Sequence, residues 1–171
     1  MIQGGPKGGG ASSGSSDVLS LGVKGEVVVD FGDYDIVDGP GDDFIVFENP
    51  FLVSAYNPFA EPAVVGVSSS GTSSADFIDF KCDLTKTTGD AKTQTWPYPG
   101  CAGVKPVLAG SGSCASPTNS SAAGGDAFDL AKLGVTQARY LRIRDAGVST
   151  SGTTTQGFDL DAVVLIHYKK R

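Results

Sequence analysis

DFGDYDIVDGPGDDFIVFE, Asp30 to Glu48, packs seven carboxylates into 19 residues. A run of like charge that dense ordinarily marks a solvated, disordered tail. Here Val, Ile and Phe are threaded through it at strand spacing, so it is expected to fold. DFIVFEN (43–49) is apolar on both faces, as a central strand of a sandwich can be. The acidity extends outward: between Lys24 and Lys81 stand eleven Asp or Glu and no Lys or Arg. Folding draws these groups together, and something must offset their repulsion. Ca²⁺, which takes about six to eight oxygens from carboxylates and carbonyls on flexible loops, is the expected counter-ion.

Further strands are expected on either side. GEVVVDF (25–31) alternates Val27, Val29 and Phe31 against Glu26, Val28 and Asp30. PAVVGVSS (62–69) and DFIDFKC (76–82) read as a hairpin around SSGTSS, with Phe77, Asp79 and Lys81 facing one way and Ile78 and Phe80 the other. ARYLRIRD (138–145) places Leu141 and Ile143 inward, Arg142 and Arg144 outward. FDLDAVVLIHY (158–168) reads as one strongly apolar closing strand. GGDAFDLAKLG (124–134) suits one short helix, with Asp126 as N-cap and Gly134 as the stop. Residues 83–125 lack periodicity and are rich in Pro, Gly, Ser and Thr; they read as one or two long loops, tied down by Trp96 and a disulfide. Residues 1–16 read as a flexible Gly/Ser arm. Short strands, long turn-rich loops and 24 glycines together predict a single all-β domain over 1–171, an antiparallel β-sandwich with at most one short helix.

The totals narrow the function. A net charge of −6 and a pI near 4.6 argue against nucleic acid, which needs a basic face. The longest apolar run near the end, AVVLI, is far too short to span a bilayer. Cys82, Cys101 and Cys114 lack CxxC spacing, so zinc and haem attachment are not expected. Two readings stay open: buried free thiols, or, in an exported protein, a Cys82–Cys101 disulfide closing a polar loop, with Cys114 as the odd cysteine. Met1 is followed by IQGGPKGGG, which offers no apolar leader core. Export is the favoured expectation, and it implies a leader removed ahead of this chain.

The succession GGGASSGSSDVLSLG, VDGPGDDFIVFENPF, EPAVVGVSSSG, CAGV, AGGDAFDLA, RIRDAG and GFDLDAV resembles a family of bacterial exported proteins labelled only as cell surface proteins. The match runs in order from about Gly4 to Tyr168. The resemblance implies a secreted or cell-surface location, a jelly-roll sandwich like the galactose-binding modules, and no catalytic activity that carries over. Cys114 departs from the family pattern.

The candidate metal ligands follow from spacing. The acidic stretch is not an EF-hand: the Asp-x-Asp-x-Asp-Gly grid fails in every register, and no Glu stands at the twelfth position. Gly39, Pro40 and Gly41 make a tight turn that lets Asp38, Asp42 and Asp43 converge while the strand carries Glu48 onward. Asp159 and Asp161, two apart in GFDLDAV, point to one face of a strand. If that strand lies beside 43–49, both clusters meet at one cation. The alternative is that these Asp residues cap turns along a solvated edge. Asp126, Asp129 and Asp145 are second-rank candidates, Asp126 reading first as an N-cap and Asp145 as the start of a turn; Glu61, before Pro62, either donates an oxygen or is simply exposed.

Catalysis is hard to build. His167 is the only histidine, so a Ser-His-Asp site has weak support. A carboxylate-based glycan hydrolase or lyase needs only two acids and is kept as a third possibility. Binding fits better. Trp96 and Tyr98 lie on the Pro-stiffened loop WPYPGCAG, Tyr56 and Phe59 on AYNPFAEP, and exposed rings on stiff loops stack sugars. The alternative is that these rings are lids on the core. Arg142 and Arg144 pair acidic sugars or balance nearby Asp, the latter being favoured. The expected function is thus a calcium-binding, non-enzymatic module for a glycan or other surface polymer. Self-assembly with identical copies is the second reading.

Overall fold

The structure is a computed structural model that describes residues 4–14, 17–110, 114–152 and 157–171. It is an all-β, antiparallel sandwich. The strands are β1 (Leu19–Ser20), β2 (Glu26–Asp30), β3 (Tyr34–Val37), β4 (Phe44–Phe47), β5 (Phe51–Ser54), β6 (Asn57–Phe59), β7 (Ala63–Ser68) and β8 (Ile78–Asp79). After a long connection come β9 (Asp126–Phe128), β10 (Gln137–Ala138), β11 (Tyr140–Asp145), β12 (Asp159–Leu160), β13 (Ala162–Leu165) and β14 (Tyr168–Lys170).

One layer is the four-stranded sheet β2-β11-β7-β8; the facing layer is β13-β4-β9, extended by β10-β3-β14. Period-two alternation builds the core between them. Leu141 and Ile143 of β11 and Val65 and Val67 of β7 are fully buried against Phe44, Val46 and Phe128. The β4 side chains that point the other way, Ile45 and Phe47, are covered by Val107, Ala109 and Ala123, with Ala162 of the neighbouring β13 beside them. Loop residues thus take the place of a third sheet, which is why β4 is apolar on both faces. Phe44 stacks on Phe128 at 5.3 Å and meets Phe80 at 5.9 Å. Burying a ring of that kind is worth about 1.5–3 kcal/mol.

The β7–β8 hairpin forms as expected, with Val67 opposite Ile78. Phe80 enters the core while Ile78 stays exposed. Other expectations need correction. The apolar segment 158–168 is three strands in three sheets. β12 pairs with β1, β13 with β4, and β14 with β3. Its path breaks where the backbone N–H groups of Ile166 and His167 both donate to the Asp43 carbonyl. The helix expected over 124–134 is a strand followed by a 3₁₀ turn, Leu130–Leu133. Pairing of β9 with β4 and the Phe44–Phe128 stack override local propensity. The N-cap is Asp129, not Asp126, and Gly134 closes the turn at φ 67°.

The arm expected over 1–16 is laid down on the sandwich in its described part. Pro6 is buried, and the Lys7 N–H donates to Asp161 at 2.9 Å. Residues 1–3, 15 and 16 lie outside the described residues. The 83–125 connection has no strand among its described residues. It is tied by the Cys82–Cys101 disulfide, whose Cα atoms lie 4.6 Å apart, and by a small core of Tyr98, Cys101 and Val104. Cys114 is free and exposed. Among the described residues no helix is long and apolar enough to cross a membrane.

Candidate functional site

The final strand does lie beside 43–49, but antiparallel: Ala162 faces Phe47 and Leu165 faces Phe44. That register carries Asp159 and Asp161 to the Glu48 end and His167 to the Asp43 end. The two ends are separated by the length of β4, about 13 Å at roughly 3.3 Å per residue. The six expected ligands therefore fall into two groups and do not share one cation.

At the first end, Asp38, Asp43 and Asp129 each bring a carboxylate oxygen to within 4.8 Å of the others. Asp42 does not join this group. Asp43 is fully buried and heavily bonded. Its Oδ1 accepts from the Gly39 N–H at 2.8 Å and faces His167 Nδ1 at 2.9 Å; its Oδ2 accepts from Leu130 N–H at 2.7 Å. The tight turn needs glycine here: a Cβ on Gly39 would lie 2.4 Å from the His167 ring. Asp129 uses Oδ1 to cap Ala131 N–H at 2.9 Å. The Asp38 carboxylate makes no hydrogen bond among the described residues, and it is exposed.

At the other end, Glu48 is 4% exposed, and its Oε2 has no hydrogen-bond partner. Burial pushes its carboxyl well above the usual range, and the charges of Asp159 and Glu61 push it the same way. Asp159 accepts from the Ser20 hydroxyl, and Glu61 accepts from Gly157 N–H at 3.1 Å. Asp161 faces the Lys7 backbone instead, and burial raises its carboxyl too.

The second-rank acids act as staples. Asp145 is buried and binds the N–H groups of Lys24, Gly147 and Phe158. Asp126 accepts from Val104 N–H at 2.8 Å, and burial raises its carboxyl.

The four aromatics part company. Tyr98 is 1% exposed and belongs to a small core with Cys101 and Val104, while its N–H donates to the Lys86 carbonyl. Phe59 stacks on Phe51 in the β5–β6 hairpin at 5.4 Å. Tyr56 and Trp96, half-buried, meet across two loops with ring centroids 5.0 Å apart. Trp96 also walls a cavity of about 550 Å³ between the edge strands β8 and β9, roofed by residues of 94–105. Its apolar lining includes Phe80, Tyr98, Phe128 and Leu133; its charges are Asp79, Lys81, Lys105, Asp126 and Lys132. The lysines escaped the reading of the sequence because they lie far apart along the chain. The adjacency of Lys81 to Cys82 was the one available signal.

Arg142 and Arg144 balance Asp, as favoured: both donate to Asp79, at 2.8 and 3.0 Å. Arg142 lies on the outer face of its sheet yet is buried, because Phe77 covers its guanidinium at 4.6 Å.

Compared with protein-family models, curated proteins and solved structures, the chain matches none.

Proposed function

We propose that this chain is an exported, calcium-binding, non-enzymatic β-sandwich module that recognises a glycan or another surface polymer. The observation that carries the binding role is the cavity of about 550 Å³ beside the Tyr56–Trp96 pair. Its size falls within the roughly 300–1,000 Å³ of small-ligand sites. Tyr56, Gln94 and Tyr98 hold positive φ of 60°, 54° and 46°, a conformation that costs non-glycine residues about 1–3 kcal/mol each and clusters at ligand clamps. Both acids of the cavity are already engaged, Asp79 by two arginines and Asp126 by backbone N–H groups, which favours binding over acid–base chemistry.

For calcium, the support is the convergence of Asp38, Asp43 and Asp129. Carboxylates suit this hard cation, and exposed Asp38 leaves room for water ligands. Export is favoured by the family resemblance and by the disulfide, a bond that persists in oxidising compartments.

A glycan array with and without EDTA tests this function. Selective binding that weakens in chelator is the expected outcome; silence across the array would sink it. A second reading, self-assembly, is favoured by the β5–β6 hairpin. It pairs with no other strand among the described residues and leaves Val53 73% exposed. Light scattering on a concentration series would show it as a mass above the monomer.

A further inference from the structure

We infer, on the strength of the glycan reading above, that the β8–β9 cavity takes a saccharide ring bearing an anionic substituent, a carboxylate or a sulfate. The chain as a whole carries a net charge of −6, yet three of its nine lysines line this one cavity. The two acids there do not cancel them. Asp79 is neutralised by Arg142 and Arg144, the former also lying 3.8 Å from Glu26, so its charge is spent outside the cavity's lysines. Asp126 lies 3.8 Å from Lys105 and accepts from the Val104 N–H as well. Lys81 and Lys132 make no ion pair among the described residues. Asp83, next but one to Lys81, hydrogen-bonds to the Thr85 N–H and hydroxyl at 3.0 and 2.6 Å and meets Lys81 only through a weaker charge interaction. Two lysines of the lining are thus left without an ion-pair partner among the described residues.

The rest of the lining fits a sugar better than a bare ion. Trp96, Phe80 and Leu133 offer apolar surface for the C–H face of a ring, and Gln94 and Thr95 offer donors and acceptors for hydroxyls. The site is also built in advance. The Cys82–Cys101 bond, the Asp83 N–H to Pro99 carbonyl bond of 3.0 Å and the Tyr98 N–H to Lys86 carbonyl bond of 2.7 Å hold its rim. A rim ordered beforehand costs less entropy when ligand binds.

The test is titration calorimetry with matched oligosaccharides: uronate-containing, sulfated and neutral. The acidic series should bind at least about tenfold more tightly than the neutral one, with affinity falling as salt rises. Lys81→Gln and Lys132→Gln should each weaken the acidic ligands by about fivefold, the upper range for one partly exposed charge pair, and leave the neutral ones unchanged. Trp96→Ala should weaken both kinds. The uronate and sulfate arms decide which anion is preferred. Neutral oligosaccharides binding as tightly as acidic ones would overturn the anionic inference while leaving glycan recognition intact. Unchanged acidic binding in the Lys81→Gln, Lys132→Gln double variant would overturn its location. No binding by any of the three series would overturn both it and the glycan reading.

Discussion

Arg142, on β11, donates through Nη2 to Asp79, on β8, at 2.8 Å, and its Nη1 reaches both the Ser74 carbonyl and hydroxyl at 3.1 and 2.8 Å. All four arginines of the chain lie within its last 33 residues, while the acids cluster in its first half. The antiparallel sheets bring the two together: Arg139 meets Asp30 at 2.8 Å, and Arg171 lies 3.6 Å from Asp35. Part of the repulsion along Asp30–Glu48 is therefore relieved by arginines from across the fold.

These pairs differ in worth. Arg142→Met should cost about 2 kcal/mol, less than the roughly 3–5 kcal/mol of a broken fully buried pair, because Asp79 stays partly in water and keeps Arg144. Arg139→Met removes an exposed pair and should cost under about 1 kcal/mol. Urea unfolding of both variants checks the order. Equal losses would mean that the burial of Arg142 contributes nothing.

The disulfide joins residues 19 apart, and a loop of that size implies about 3 kcal/mol of stabilisation through the unfolded chain. Reduction should lower the melting temperature accordingly. In the native, oxidised protein only Cys114 should react with iodoacetamide. A Cys101–Cys114 peptide in a non-reducing map would contradict the pairing.

Much of the sandwich was legible in local patterns. The two-sided apolarity of 43–49, the hairpin around SSGTSS and the inward Leu141 and Ile143 each follow from period-two spacing. What local patterns lack is register and covering. The expectation of one shared cation failed because sequence does not say whether 158–168 runs parallel or antiparallel to β4. Tyr98 reads as exposed on a Pro-rich loop because a loop's own pattern does not show that it folds back into a core with Cys101 and Val104. Arg142 reads as outward on its strand, and its cover, Phe77, comes from the turn just ahead of β8, 65 residues away. The cavity was invisible because its walls come from β8, β9 and a long loop with no periodicity.

The calcium reading predicts a split between the two ends of β4. In EDTA the melting temperature should fall, and Ca²⁺ should restore it, by about 2.7 kcal/mol at a hundredfold excess over Kd. Mg²⁺, which gives up its waters reluctantly, should restore much less. Asp38→Asn and Asp129→Asn should each abolish the Ca²⁺-dependent gain. Identical melting with and without chelator would leave that cluster as a turn staple.

Glu48 should behave in the opposite sense. Its carboxyl titrates well above the ordinary range in the folded protein because it is buried, whereas in the unfolded chain it titrates near about 4.3. The folded state therefore holds the proton more tightly, and ionisation costs stability. That cost sets in as pH rises past the unfolded value and is complete only above the folded one. Asp126 and Asp161, also raised by burial, add in the same direction. Asp30 and Asp76, both exposed, and half-buried Asp83 are lowered by their partners and stabilise as pH rises through the lower range. Glu48→Gln keeps the shape of the side chain and removes the charge. In EDTA at pH 7 it should melt higher than the parent, and its stability should decline less steeply from about pH 4.3 upward. Its gain with Ca²⁺ should match the parent's, since the cation is assigned to the other end of β4. If Glu48→Gln instead melts lower in EDTA and loses the Ca²⁺ gain while Asp38→Asn keeps it, the cation belongs with Glu48.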